Sequence, residues 1–177
     1  MKLSSPSFQN QLIDLNFGKF ASEAYLVNGL PQTSFQLDWE VENVNSHFVH
    51  LIFIDYDAIS AGAKPFVHWS VANIPVTDFP HGLKENASLE LKTVLNQGVN
   101  SLIGAEIQNP NKWAEYSQFL GSMPPNSDHF YTMMAFTTSE AITISNPFTP
   151  DKLFRVLLTG QNVVEHTYIE GMYPYKI

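Results

Sequence analysis

Two aspartates and a histidine interrupt apolar, strand-like sequence in the stretch FIDYDAISAGAKPFVHWSVANIP. Asp55 and Asp57 end one hydrophobic run, and His68 lies inside the next, where it alternates with Phe66 and Ser70. Residues two apart project to one face of an extended strand, so the two carboxylates would repel unless a cation, a proton or hydrogen-bond donors lay between them. The pattern predicts either a pocket lined by these groups or a strand end beside a satisfied core histidine.

A second group of candidate residues follows in GSMPPNSDHFY. Pro124 and Pro125 restrict a loop just before His129 and Tyr131, which share a face of the next predicted strand. The Gly-Ser pair at 121–122 leaves backbone N–H groups free to point at an anion. The alternative interpretation is a plain turn, because paired prolines mostly form turns.

Strands must position these residues, because the dominant periodicity is that of β-structure. SFQLDWEV alternates, HFVHLIFID is the continuous apolar run of a central strand, and FVHWSVANI, HFYTMMAFT and the tail NVVEHTYIEGMYPYKI also favour strands. One helix is predicted near 150–159, with Thr149 as N-cap, Pro150 in the first turn and Gly160 at the end. We expect a mainly β fold of antiparallel sheets with few helices.

Composition narrows the function classes. The 177 residues fit one domain, 1–177, and 44% hydrophobic content suits a packed core. The net charge of -8 disfavours nucleic acid and anionic membrane surfaces as partners. The chain lacks cysteine, so a disulfide and a thiolate metal site are excluded. We see no signal-peptide pattern and no apolar run of transmembrane length, so a cytoplasmic location is expected.

The order of these motifs resembles that of the phosphatidylethanolamine-binding protein family, also called the Raf kinase inhibitor protein family, and its bacterial-type branch in particular. The segments DYDA, VHWSVANIP and GSMPPNSDHFY match the family's acid strand end, histidine strand and Gly-x-x-Pro-Pro loop. LSSPSF, SFQLDW and QGVNS match more weakly, so the resemblance covers most of the chain.

The resemblance implies a β-sandwich of antiparallel sheets with short peripheral helices and a small anion-binding cavity. The residues that match the family's cavity are Asp55, Asp57, His68, Pro124, Pro125, His129 and Tyr131. Tyr56 and Ile59 stand where the family often has proline, and the segment 106–123 departs from the usual approach to the loop. These departures concern the mouth of the cavity more than its floor.

Three function classes follow. The first is a protein without enzymatic activity, metal or cofactor that binds a small phosphate- or carboxylate-bearing ligand such as phosphoethanolamine. A phosphorylated peptide or protein would offer the same group, and some relatives modulate a kinase or protease; a homodimer is compatible with this class. The second is a hydrolase that uses the Asp/His cluster to hold a divalent metal, although the spacing matches no metal motif. The third is an interaction protein with a vestigial pocket.

For the binding class, the sequence suggests how an anion would be held. His68 and His129 would be the main side-chain donors, and the 121–125 loop would add backbone N–H groups. A neighbouring carboxylate would orient a histidine and raise its pKa, so that binding strengthens as pH falls. Lys64, the only lysine near the motifs, lies in a Gly/Ala-rich loop and is expected to face solvent.

Overall fold

The apolar runs of the sequence form β-strands in the computed structural model, which describes residues 1–160 and 162–177. The strands of this part of the chain are β1 (Lys2–Ser4), β2 (Phe8–Gln9), β3 (Leu12–Ile13), β4 (Leu26–Val27), β5 (Leu30–Pro31), β6 (Leu37–Glu40), β7 (Phe48–Asp55), β8 (Phe66–Pro75), β9 (Gly82–Leu83), β10 (Asn96–Gln97), β11 (His129–Thr138) and β12 (Val163–Tyr173). The α-helices are α1 (Ile59–Gly62), α2 (Ala87–Glu90), α3 (Trp113–Tyr116) and α4 (Pro150–Leu158), and the 3₁₀ helices are Leu15–Phe17, Glu23–Tyr25, Ser101–Gln108 and Pro110–Lys112.

Seven strands form one large sheet in the order β10-β8-β7-β11-β12-β3-β2. β1, β6 and β9 form a second sheet, and β4 pairs with β5. The main ladders of the large sheet, from β8 to β12, are antiparallel, whereas β12 and β3 run parallel at Met172 and Leu12. The predicted mainly β fold with few short helices is confirmed, and the parallel contact makes the large sheet mixed. No helix of residues 1–160 or 162–177 is long and apolar enough to cross a membrane.

Strand β7 is buried on both faces, as its continuous apolar run predicts. Its odd-numbered residues, such as Leu51 and Phe53, pack in the main core with residues of the second sheet such as Trp39. Its even-numbered residues Ile52 and Ile54 pack on the opposite side, where α4 covers the large sheet. This alternation continues to the end of the strand and directs the side chain of its last residue toward the space between the sheets.

Helix α4 begins at Pro150, directly after Thr149, as the sequence predicts. The Thr149 side chain forms no capping hydrogen bond, so the helix start depends on proline geometry and packing. Leu153 and Leu157 are buried against the large sheet. The amphipathic pattern alone therefore suffices to locate this helix.

A buried polar network fixes the backbone at Leu120. The Trp69 indole N–H and the Ser88 hydroxyl both donate to the side-chain oxygen of Gln97, at 2.7 and 2.8 Å. The Phe119 N–H donates to the Ser88 hydroxyl oxygen at 2.8 Å. Because every link is buried, the network is strong and holds the next residue, Leu120, in a defined position against β8.

His50 of β7 is a second well-satisfied buried group. Its Nδ1 accepts from the Asn73 N–H at 3.2 Å, and its Nε2 lies 2.9 Å from Thr138 Oγ1, which itself donates to the Glu140 carbonyl at 2.7 Å. These partners require a neutral ring with its proton on Nε2. Burial lowers the pKa of His50 to about 4.

Stability should therefore depend on pH through His50. In the unfolded chain the imidazole regains its usual pKa near 6.5, so the unfolded state takes up a proton first as pH falls. Neutral His50 therefore contributes fully to the free energy of unfolding above pH 6.5. This contribution is lost progressively toward pH 4 and amounts to about 3 kcal/mol for this one group. Denaturant unfolding of the wild type and His50→Asn across this pH range compares how steeply the free energy of unfolding falls with pH in the two proteins.

Asparagine can still accept from the Asn73 N–H but does not titrate, so the loss between pH 6.5 and 4 should shrink by about that amount. The exposed His166 is the matched control, and His166→Asn should keep the wild-type slope. Parallel profiles for the wild type and His50→Asn would contradict the assignment of a neutral His50.

Candidate functional site

Asp55 is the last residue of β7, where the chain leaves the sheet. It is only 3% exposed, and its Oδ1 accepts from the Ala58 N–H at 3.0 Å, which closes the turn before α1. Asp57 lies in that turn and is exposed, and its Oδ2 accepts from the Phe130 N–H at 2.8 Å. The expectation that the two carboxylates share one strand face is wrong, because the strand ends at Asp55. Asp57 joins the turn to β11 instead.

His129 begins β11 and lies directly behind Asp55. Its Nδ1–H donates to Asp55 Oδ2 at 2.8 Å, and its Nε2 lies 3.0 Å from the Asn126 side-chain oxygen Oδ1, an acceptor. The imidazole is fully buried, and both of its ring nitrogens have partners. The structure therefore places His129 as the group that orients Asp55, rather than as the free donor that the sequence suggested.

A β-bulge positions His68. Phe53 of β7 pairs with Trp69, and the next residue, Ile54, pairs with Val67, so His68 has no partner residue on β7. Such a bulge inserts one residue and reverses the alternation of side chains beyond it. His68 consequently turns toward the space between the sheets, the same side as Phe53.

The bulge corrects the predicted face of β8. Alternation alone groups His68 with Phe66 and Ser70, but Ser70 lies on the side covered by α4. The His68 ring instead packs among aromatic rings, with centroid distances of 4.7 Å to Phe66, 5.5 Å to Phe53 and 5.2 Å to Tyr131. These rings exclude water around the imidazole.

The protonation state of His68 follows from its surroundings. Its Nδ1 lies 3.0 Å from the Leu120 carbonyl oxygen, which only accepts, so Nδ1 carries the proton and Nε2 presents a lone pair. Burial lowers the pKa of His68 to about 4, and the Leu120 hydrogen bond and the Asp55 charge offset this only in part. At His68, desolvation outweighs the neighbouring carboxylate, so the ring is not cationic near neutral pH.

Tyr131 completes the group. Its hydroxyl is buried beside the Asp55 carboxylate and the Met123 backbone N–H, yet it forms no hydrogen bond within the described part of the chain. Burial, and then the Asp55 charge, raise the pKa of Tyr131, so the hydroxyl keeps its proton. A buried hydroxyl without a partner is unusual in a folded protein.

Backbone N–H groups of the loop at 121–125 are hydrogen-bonded within the protein, although the sequence suggests that they are free. The Gly121 N–H donates to the Pro31 carbonyl at 2.7 Å, and the Ser122 N–H donates to the Phe17 carbonyl at 2.9 Å. A Cβ at Gly121 would lie 2.6 Å from the Phe17 carbonyl oxygen, so only glycine permits this approach. These two N–H groups are therefore not free to bind an anion, contrary to expectation.

The two prolines have different surroundings. Pro124 is buried, and its carbonyl accepts from Lys19 Nζ at 2.7 Å. Pro125 is exposed and lines a cavity. The Lys19 ammonium also lies over the Tyr175 ring, 4.4 Å from its centroid, which ties the loop to the C-terminal segment.

A cavity of about 280 Å³ opens in front of Asp55 and His68. Its walls are mostly apolar, and its lining residues include Ala58, Phe66, Leu102, Met123 and Pro125. Lys64 also lines it, as an exposed residue. The expectation that Lys64 faces solvent agrees with its exposure, but its place in the cavity lining, two residues before β8, was not predicted. Asp57, Pro124, His129 and Tyr131 are not part of this lining.

Larger grooves lie elsewhere on the surface, the largest being about 810 Å³ beside Leu83 and Leu91. The acids that line this groove, such as Asp38 and Glu90, are solvent-accessible, and none is buried. Only the smaller cavity combines a buried carboxylate, a buried histidine and apolar walls among the cavities of residues 1–160 and 162–177. This combination makes it the candidate binding site.

No group of three or more His, Asp or Glu side chains in the described part of the chain is arranged to hold a metal ion. The two histidines nearest Asp55 are committed through one or both nitrogens to other partners. The geometry therefore offers no positive support for the metal-dependent alternative.

Comparison with known proteins identifies the family. The sequence profile of the phosphatidylethanolamine-binding protein family matches residues 4–174. The chain belongs to this family. It is similar to the Bacillus subtilis protein YxkA, with 28% identity over 161 residues that cover 91% of this chain and 93% of YxkA.

Two solved structures of the phosphatidylethanolamine-binding protein family share the fold. Escherichia coli YbcL superposes with a TM-score of 0.75 at 19% identity, covering 99% of this chain and 98% of YbcL. Chlamydia trachomatis CT736, described as a homologue of phosphatidylethanolamine-binding proteins, gives 0.74 at 18% identity, covering 98% and 97%. The resemblance drawn from the motifs is confirmed, and family membership supports a ligand-binding protein of this kind. The binding roles of the individual residues stay a prediction.

The Asp55–His129 contact should contribute strongly to stability. His129→Ala leaves a buried carboxylate with only the Ala58 N–H as partner, and we expect a loss of about 3 kcal/mol in the free energy of unfolding. His129→Asn, whose amide can still donate to Asp55, should recover part of this loss. Denaturant unfolding at pH 7 measures both, with His166→Ala as the exposed control. A loss for His129→Ala no larger than for His166→Ala would show that Asp55 does not depend on His129.

Proposed function

We propose that this protein binds a small ligand bearing a phosphate or carboxylate group, such as phosphoethanolamine, in the cavity in front of Asp55 and His68. The observation that carries the proposal is the convergence of groups with unused hydrogen-bonding capacity at the base of one apolar-walled cavity. In the lining, these groups are the lone pair of His68 Nε2 and the second acceptor positions of Asp55, and the unpartnered Tyr131 hydroxyl is buried beside Asp55 just outside the lining. Buried polar groups are normally satisfied, so their convergence favours a ligand that satisfies them.

The arrangement suggests how such a ligand is oriented. Its polar group meets Asp55 and His68 at the base, and its remaining atoms contact apolar walls such as Phe66 and Met123. Lys64 at the lining supplies positive charge to an otherwise acidic protein. Since Lys64 is exposed, its attraction is screened by solvent, and its contribution is modest.

We propose binding rather than turnover. Asp55 and His129 are engaged with each other and with neighbouring amides, which suits a rigid binding site. A general base needs a substrate proton within reach, and His68 Nε2 is the one ring nitrogen with a free lone pair here. A role in modulating a kinase or protease would follow if the bound group belonged to a phosphorylated partner protein.

Calorimetric titration with phosphoethanolamine and inorganic phosphate at pH 6 tests the proposal. His68→Asn keeps a donor for the Leu120 carbonyl but removes Nε2, and we expect binding to weaken ten- to a hundredfold. Lys64→Ala should weaken binding by about two- to fivefold, an effect that added salt reduces. The wild type should show one site per chain.

Two controls separate the site from general charge effects. Lys84→Ala changes the net charge equally but lies outside the cavity, and His166→Ala removes an exposed histidine. Neither should alter affinity beyond the small effect of net charge. If His68→Asn bound both ligands as tightly as the wild type, the proposed site would be wrong.

A further inference from the structure

The cavity base presents more acceptors than donors. Each Asp55 oxygen already accepts one hydrogen bond, and the remaining positions are lone pairs. His68 Nε2 is also a lone pair, because Nδ1–H is committed to the Leu120 carbonyl. The buried donor without a partner beside these acceptors is the Tyr131 hydroxyl, which lies behind Asp55 and outside the cavity lining. An oxyanion that enters this site therefore meets the acceptors Asp55 and His68 Nε2 first.

An oxyanion without a proton would place its own lone pairs against those of Asp55 and His68. Two acceptors in contact leave buried polar groups unsatisfied, and the negative charges of the ligand and of Asp55 repel. One additional proton removes the conflict at the His68 contact. The ligand brings this proton as an O–H group that donates to Nε2, or His68 takes it from solution and donates to the ligand.

The titratable groups around His68 leave no other source for this proton. Asp55 comes from β7, His129 and Tyr131 come from β11, and Lys64 precedes β8. His129 is fully buried, and its two nitrogens face the acceptors Asp55 Oδ2 and Asn126 Oδ1, so its protons are held there. Tyr131 keeps its hydroxyl proton, and neither residue lines the cavity. Lys64 is exposed at the lining and contacts no buried partner through a hydrogen bond.

We propose that the cavity binds an oxyanion together with one proton, and that it therefore selects phosphate monoesters over phosphate diesters near neutral pH. This inference rests on the proposed function and names the class of ligand. A monoester or inorganic phosphate has a second dissociation near pH 6, so a sizeable fraction carries its own proton at neutral pH. A diester, such as the head group of an intact phospholipid, has no such proton and depends on protonation of His68.

The ratio of monoester affinity to diester affinity follows from the pKa of His68. Burial holds the pKa of His68 near 4, so few molecules carry the cationic ring at pH 7. Diester affinity should fall about tenfold for each pH unit from 5 to 8, as linkage to a single proton requires. Monoester affinity should be nearly constant below pH 6 and fall only above it, where the ligand loses its proton.

The experiment compares phosphoethanolamine with glycerophosphoethanolamine, a diester with the same ammonium group. Calorimetric titrations at pH 5, 6, 7 and 8, each in two buffers of different ionisation enthalpy, give affinity and the number of protons taken up. We expect binding of the diester at pH 6 and 7 to take up about one proton, and binding of the monoester at pH 5 to take up about none. At pH 7 the monoester should bind about a hundredfold more tightly.

Histidine resonances provide an independent measurement. The diester should raise the titration midpoint of His68, and that of His50, a buried neutral histidine outside the cavity, should not move. Binding of both esters with equal affinity at pH 7 and no proton uptake would overturn the inference but leave the proposed function intact. Failure of both esters and of inorganic phosphate to bind at any of the four pH values would overturn both.

Discussion

The site depends on one buried interaction, the hydrogen bond between His129 and Asp55. A carboxylate at the end of a strand normally faces water, but the alternation of β7 turns Asp55 inward, where it must be satisfied by protein groups. The Ala58 N–H satisfies one oxygen and His129 the other. Since β7 and β11 are adjacent antiparallel strands, the register that pairs Tyr131 with Asp55 also brings His129 beside it. The central ladder and the site are therefore stabilised by the same contact.

How much the sequence predicts depends on whether local periodicity decides the outcome. The main strands and helix α4 were predictable because their apolar patterns are long and regular, and the motifs identified the family. The separation of His68 from Ser70 was not predictable, because a bulge at His68, between Val67 and Trp69, shifts the alternation by one residue. The use of the Gly121 N–H by a distant carbonyl was likewise invisible, since that partner lies ninety residues earlier at Pro31. Strand pairing and hydrogen bonds between residues far apart in the sequence decide such details, and local secondary-structure propensity does not.

The protonation of histidine shows why local chemistry misleads in a core. A nearby carboxylate favours the imidazolium form, which is the reasoning that the sequence invites at His68. In the structure, aromatic rings surround His68, and desolvation decides in favour of the neutral ring. His50 reaches the same state without any carboxylate among its hydrogen-bond partners. Burial is therefore the largest influence on the pKa of both rings, and at His68 it outweighs the opposing effects of the Leu120 carbonyl and the Asp55 charge.

The absence of a positive charge on Asp55 and on neutral His68 explains why a cation at the cavity lining matters in so acidic a chain. With a net charge of -8, the protein repels anions at long range, and neither Asp55 nor neutral His68 offsets this. Lys64 is the one cationic side chain of the cavity lining within residues 1–160 and 162–177. Because it is exposed, it lowers the electrostatic barrier to approach while contributing little to the bound state. Its effect should therefore be larger on the rate of ligand association than on the rate of dissociation, whereas the buried His68 should govern dissociation.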